Sequence, residues 1–197
     1  MASYRAVAAV TEAVVYLLES QYTPAKFDGN QLEFKVYLAK DFEQPMDAGV
    51  SLFLYRIYAN DTHRTPKGRV SLNGERHRTQ LPLDMHFLLT AWGKDASLQH
   101  TIAGWMMRVL EDTPVFPAGL LNKSVSNVFH PDETVEVGLT QLTTEELFRI
   151  WEVIGNNAYQ ISVPYVARYV KIESEHLLAE GEAIQERTLD IWELGNP

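Results

Sequence analysis

Two stretches of this chain restrict its fold more than anything else in the sequence. Residues 49–59, GVSLFLYRIYA, are rich in β-branched and aromatic types and apolar on both faces over part of their length. A strand tolerates that pattern where its sheet is covered on both sides, so a central place in a sheet is expected. Residues 83–92, LDMHFLLTAW, read as a further strand, and a helix is expected directly after it over 95–111. There Asp95 stands at the N-cap position and Leu98, Ile102, Trp105, Met106, Val109 and Leu110 recur at helical intervals.

The flanking segments supply the rest of an α/β (α+β) domain. Residues 3–20 place Val7, Val10, Val14, Tyr16, Leu17 and Leu18 on a helical stripe, with Ser3 as the expected cap and Tyr22–Pro24 as the stop. After a turn at Asp28, Gly29 and Asn30, Leu32, Phe34, Val36 and Leu38 alternate with Glu33, Lys35 and Tyr37 as in a half-buried strand. Residues 112–131, with Pro114, Pro117, Gly119 and Pro131, are expected to be irregular, and TVEVGLT after them reads as a short strand near an edge. Thr143 and Glu146 form a capping-box signature ahead of a helix whose apolar face is Leu147, Ile150, Trp151 and Ile154, ending at Gly155. In residues 159–170, Tyr159, Ile161, Val163, Tyr165, Ala167 and Tyr169 share one face of a strand, and Pro164 predicts an edge position or a bulge. With 46% hydrophobic residues among 197, the chain can bury one sizeable core and is short for two. The expected organisation is a single domain over 1–172, a mixed and mostly antiparallel sheet flanked by helices, followed by an arm over 173–197.

The sequence offers little catalytic equipment. There is no cysteine, which excludes disulfides, zinc–thiolate sites, iron–sulfur clusters and cysteine nucleophiles. The histidines at 63, 77, 86, 100, 130 and 176 include no pair at the three- or four-residue spacing that sets two ligands on one helical face, so no metal site is expected. His86, between Met85 and Phe87, reads as a core or cross-strand histidine. The glycines form no phosphate-binding loop, and Ser51, Ser71, Ser97 and Ser162 lie outside any nucleophile elbow. No cofactor and no catalytic residue is assigned. The net charge of −9 opposes binding to nucleic acid or to an anionic membrane. The N-terminal segment lacks a secretory pattern and no run of apolar residues is long enough to span a bilayer, so synthesis and first use in the cytoplasm are expected.

Two segments stand apart as candidate contact surfaces. Between 61 and 80, Arg64, Lys67, Arg69, Arg76 and Arg78 face only Asp61 and Glu75, in a stretch punctuated by Pro66, Gly68, Asn73 and Gly74 that reads as a long exposed loop or hairpin. The plain reading is a soluble loop; the functional one is contact with an acidic partner or a neighbouring copy of this acidic chain. The last residues carry Leu177, Leu178, Ile184, Leu189, Ile191 and Trp192 among carboxylates, too apolar for a solvated terminus and too short for a core of their own.

The strand VSLFLYRIYAN, the segment LPLDMHFLLTAW, the helix HTIAGWMMRVLED and the elements Leu142–Trp151 and Tyr159–Arg168, in that order, resemble the N-terminal domain of the cap proteins of extracellular contractile injection systems. These particles include the Photorhabdus virulence cassettes and the Serratia antifeeding prophage. The resemblance covers about residues 4–172 and extends to the tail-terminator proteins of contractile phages. It implies a tail-terminator-like fold and a non-enzymatic cap: a homo-hexameric ring that ends the inner tube and engages the last ring of sheath. The implied partners are further copies of the chain, the inner tube protein and the sheath protein, with no nucleic acid and no membrane insertion. The implied setting is bacterial cytoplasm during assembly and later a phage tail-like particle, released or membrane-anchored. Two other readings stay open, another ring-forming adaptor or baseplate component of such a particle, and a small cytoplasmic enzyme with an unrecognised site.

Overall fold

A computed structural model describes residues 2–60, 80–154 and 158–174. Its elements are α1 (Ala6–Gln21), β1 (Glu33–Tyr37), β2 (Gly49–Ala59), β3 (Leu81–Trp92), α2 (Ala96–Asp112), β4 (Val115–Pro117), α3 (Ala118–Leu121), β5 (Thr134–Leu139), α4 (Thr144–Ile154) and β6 (Ser162–Ile172). The six strands form one sheet in the order β1-β2-β3-β6-β5-β4. Only β1 and β2 are parallel; every other pair is antiparallel, so the sheet is mixed and mostly antiparallel as expected.

The period-two alternation of β2 and β3 divides the side chains between two covered faces. One face carries Val50 and Leu52 of β2 and Met85, Phe87, Leu89 and Ala91 of β3, packed with the stripes of α1 and α2 in the main core. Alanines at 6, 9 and 13 on the buried stripe of α1 leave room for it to approach the sheet closely. On the opposite face Trp92, Tyr37 and Phe53 meet Phe42 and, from α4, Trp151 and Ile154 in a smaller aromatic core. Parallel neighbours need a crossover connection. Here residues 38–48 cross that second face, and the 3₁₀ turn Ala39–Glu43 inserts Phe42 edge-on against Trp151, with ring centroids 5.5 Å apart.

Helix ends follow their local chemistry. Asp95 Oδ1 accepts from the Leu98 N–H at 2.9 Å, the cap expected for α2. At α4 the Glu146 N–H donates to Thr143 Oγ1 and the Thr143 N–H donates to Glu146 Oε2, closing the expected capping box. The Thr143 N–H and then the Thr143 hydroxyl, both donating to Glu146 Oε2, lower the Glu146 pKa. Leu147 and Ile150 are half-buried while Trp151 and Ile154 carry the burial; Gly155 lies outside the described residues.

Several expectations are corrected. α1 begins at Ala6 rather than Ser3, because residues 3–5 form a turn in which the Ser3 hydroxyl accepts from the Arg5 N–H and caps no helix. Leu38 is 62% exposed, outside the strand it was expected to extend. The irregular stretch 112–131 holds β4 and α3; β4 forms the edge among the described strands, and β5 lies next to it, near the edge as expected. β6 is central, between β3 and β5, although it contains Pro164. The Pro164 carbonyl accepts from the Thr140 N–H at 3.1 Å, so its nitrogen faces the β5 side just past the last β5 pair, Leu139 with Tyr165. The missing donor therefore removes no bond from the β3 ladder. The irregularity in β6 comes later, at Tyr169, whose φ of 59° and exposed side chain mark a shift in register against β3. Ile161, Val163, Tyr165 and Ala167 do share the helix-covered face.

Candidate interaction surfaces

The polar residues that could have signalled chemistry have structural duties. The Trp92 indole N–H donates to Ser51 Oγ at 2.8 Å, and Ser162 Oγ lies 2.8 Å from Thr90 Oγ1 while accepting from the Trp151 indole N–H at 3.2 Å. His86 sits on the sheet face near α4, edge-on to Tyr58 and Tyr55 at 5.3 and 6.2 Å, a cross-strand histidine as expected. Burial lowers its pKa; Asp84 opposes this, and Arg56 and Arg168 reinforce it. Arg56 stacks on the Tyr58 ring at 3.6 Å. Among the described residues no group of His, Asp or Glu is arranged to hold a metal ion.

Two open grooves lie at opposite ends of the sheet. The first, of about 740 Å³, runs along the outer side of β1. Its walls carry Glu12 from α1, Glu33 and Lys35 from β1, and Asp41 and Asp47 from the crossover. Asp41 Oδ2 accepts from the Leu38 N–H, and the Met46 N–H donates to Tyr37 Oη at 2.8 Å, which ties the crossover to the end of β1. Burial raises the Tyr37 pKa. Lys35 is paired with Glu33, and that hydrogen bond and charge raise its pKa. The second groove, of about 560 Å³, lies against β4, β5 and the end of β6, where Arg168 pairs with Glu136 at 3.1 Å. A third surface is the outer side of α4, where Phe148, Val153 and Tyr159 are 47%, 84% and 43% exposed, with Phe148 and Tyr159 edge-on at 5.3 Å.

The expected contact residues Arg64, Lys67, Arg69, Arg76 and Arg78, and Leu177, Leu178, Ile184, Leu189, Ile191 and Trp192, lie outside the described residues. The roots of both segments are described, and they are adjacent. Residues 61–79 leave the end of β2 after Asn60 and return at Gln80, and residues 175–197 follow β6. Leu81 is the register partner of Ile172, and the Gln80 side-chain amide donates to Glu173 Oε1 at 2.5 Å. Both segments therefore depart from one end of the sheet, beside the second groove. The groove along β1 went unnoticed in the sequence because its walls come from three separate segments whose charges follow no spacing.

The architecture is that of tail-terminator caps. A PVC sheath/tube terminator from an extracellular contractile injection system, in its extended state, superposes with a TM-score of 0.62 at 16% identity. That match covers 94% of this chain and 65% of the other. The tube-terminating cap of the anti-feeding prophage gives 0.60 at 14% identity, over 92% of this chain and 60% of that one. The chain thus spans less than two thirds of the length of either. No curated protein matches it in sequence. The profile of the Pvc16 N-terminal domain matches residues 9–186, and the chain belongs to that family.

Proposed function

We propose that this protein is a structural cap of a contractile injection particle, acting by occupancy and without catalysis. The observation that carries the proposal is membership of the Pvc16 N-terminal domain family over residues 9–186. The fold shared with two tube-terminating proteins supports it. Six copies form a ring that covers the last layer of the inner tube and engages the last ring of sheath. Ring symmetry makes many weak contacts act together, so a surface without a deep binding site suffices. The chain assembles in the bacterial cytoplasm and remains in the finished particle. Among the described residues no helix is long and apolar enough to cross a membrane.

The basic residues between 64 and 78 are assigned to contact between copies or with the tube, and the apolar residues between 177 and 192 to the sheath. The common departure point of the two segments supports a division in which one end of the sheet faces the particle's other proteins. Light scattering of the chain mixed with short inner-tube segments tests the ring. Six chains of 22.4 kDa add about 134 kDa to each capped end. Removal of residues 175–197 is expected to abolish sheath attachment while leaving that added mass intact. Unchanged sheath attachment would overturn the role of the C-terminal segment.

A further inference from the structure

We propose that the groove along β1 receives residues 61–79 of a neighbouring copy, so that the ring closes through a head-to-tail contact; this rests on the ring reading above. β1 ends the sheet, and no described strand pairs with its outer side. The Glu33 N–H donates inward to Ala48 O. Alternation along the strand then turns the N–H and C=O of Phe34 and Val36 outward, away from β2, toward the groove. Such an edge accepts an extended segment through main-chain bonds, while the side chains beside it select which segment.

Charge makes the selection. Glu12, Glu33, Asp41 and Asp47 wall the groove, and Lys35, the one cation among its described lining residues, is already paired with Glu33. Residues 61–79 hold Arg64, Lys67, Arg69, Arg76 and Arg78 against Asp61 and Glu75, a basic surplus within a chain of net charge −9. Position suits a contact between copies. β1 lies beside Gly49–Phe53, whereas the basic segment departs beyond Ala59, about 20 Å further along β2 at the usual rise of a strand. The root of the basic segment and the acidic groove thus lie at opposite ends of β2. Two unlike surfaces so placed repeat head to tail, and the repeat closes into a ring when the rotation between copies allows.

The absence of cysteine permits a clean test. Two full-length variants, Asp47→Cys and Arg69→Cys, are mixed on inner tubes and treated with a short bis-maleimide. The expected result is a product of twice the 22.4 kDa chain in the mixture and none from either variant alone. Tubes that are capped by the mixture yet give no such product would overturn the inference and leave the ring standing. Linkage within single chains of an Asp47→Cys/Arg69→Cys variant, with none between the mixed single variants, would also overturn it. If wild-type chains fail to cap tubes, the ring reading falls first. A charge swap adds a second arm: Glu12→Lys with Asp47→Lys is expected to lose capping. Adding Arg64→Glu, Lys67→Glu and Arg69→Glu is expected to recover it, and no recovery with both variants folded would count against the pairing.

Discussion

Gly49 holds the sheet edge in place through its lack of a side chain. It opens β2 with a φ of +146°, directly opposite Glu33 in the parallel register. A Cβ built there would lie 1.9 Å from the Glu33 carbonyl oxygen and 2.7 Å from its nitrogen, all backbone atoms with no flexible end to swing aside. Gly49→Ala must therefore displace β1 by about 1 Å, since real Cβ contacts do not fall below 3.0 Å. The strained φ costs ~1–3 kcal/mol. Weakening the Glu33–Ala48 bond adds ~1 kcal/mol, and loosening half-buried Phe34 and Val36 adds further loss. The expected destabilisation is about 3 kcal/mol, which at a urea dependence of ~2 kcal/mol per molar lowers the unfolding midpoint by about 1.5 M. Amide exchange should accelerate first at Glu33, Lys35 and Tyr37, whose N–H groups face β2. Gly104 is the internal control, an exposed glycine within α2 with open space around its Cβ position. Gly104→Ala is expected to stabilise the fold by ~0.5–1 kcal/mol. A midpoint shift below about 0.3 M for Gly49→Ala, with exchange at β1 unchanged, would refute the steric argument.

Three further outcomes follow from the packing and the caps. Trp151 is 3% exposed and joins α4 to Phe42, Trp92 and Tyr159, so Trp151→Ala is expected to cost ~3–5 kcal/mol in urea unfolding, and Trp151→Phe distinctly less. Thr143→Ala opens the capping box and is expected to cost ~1 kcal/mol, read as a lower thermal midpoint. Burial depresses the folded pKa of His86, so below its ordinary value of ~6.5 the unfolded chain binds the proton more readily. Its contribution to stability is present at neutral pH and declines as pH falls through that range. His86→Gln should flatten the pH dependence of the unfolding midpoint between pH 7 and 5, and an unchanged slope would show that other groups dominate.

Elements whose information is local were legible in the sequence. The strand 49–59 emerges with those bounds, Asp95 caps α2, and Thr143 with Glu146 caps α4, because each signal lies within a few residues of what it specifies. The parallel pairing of β1 with β2 was not legible, since it depends on the crossover at 38–48 and on one glycine opposite Glu33. Pro164 misled for a related reason. A proline is tolerated in a central strand when its nitrogen faces a place where the neighbour has ended, and only the register of β5 reveals that. The prolines at 114 and 117 likewise hid β4, a three-residue edge strand that needs few donors. The sequence directed attention to the basic and apolar segments as contact surfaces. The structure adds that their roots meet at Gln80 and Glu173, and that an acidic groove lies at the other end of the sheet.

On the function proposed above, the protein stops tube growth by covering a tube end. The most direct measurement is the length distribution of inner tubes, polymerised with and without the full chain and imaged in negative stain. Shorter tubes with added density at one end only are expected. Tubes of unchanged length with bare ends, at chain concentrations in excess of tube ends, would contradict it.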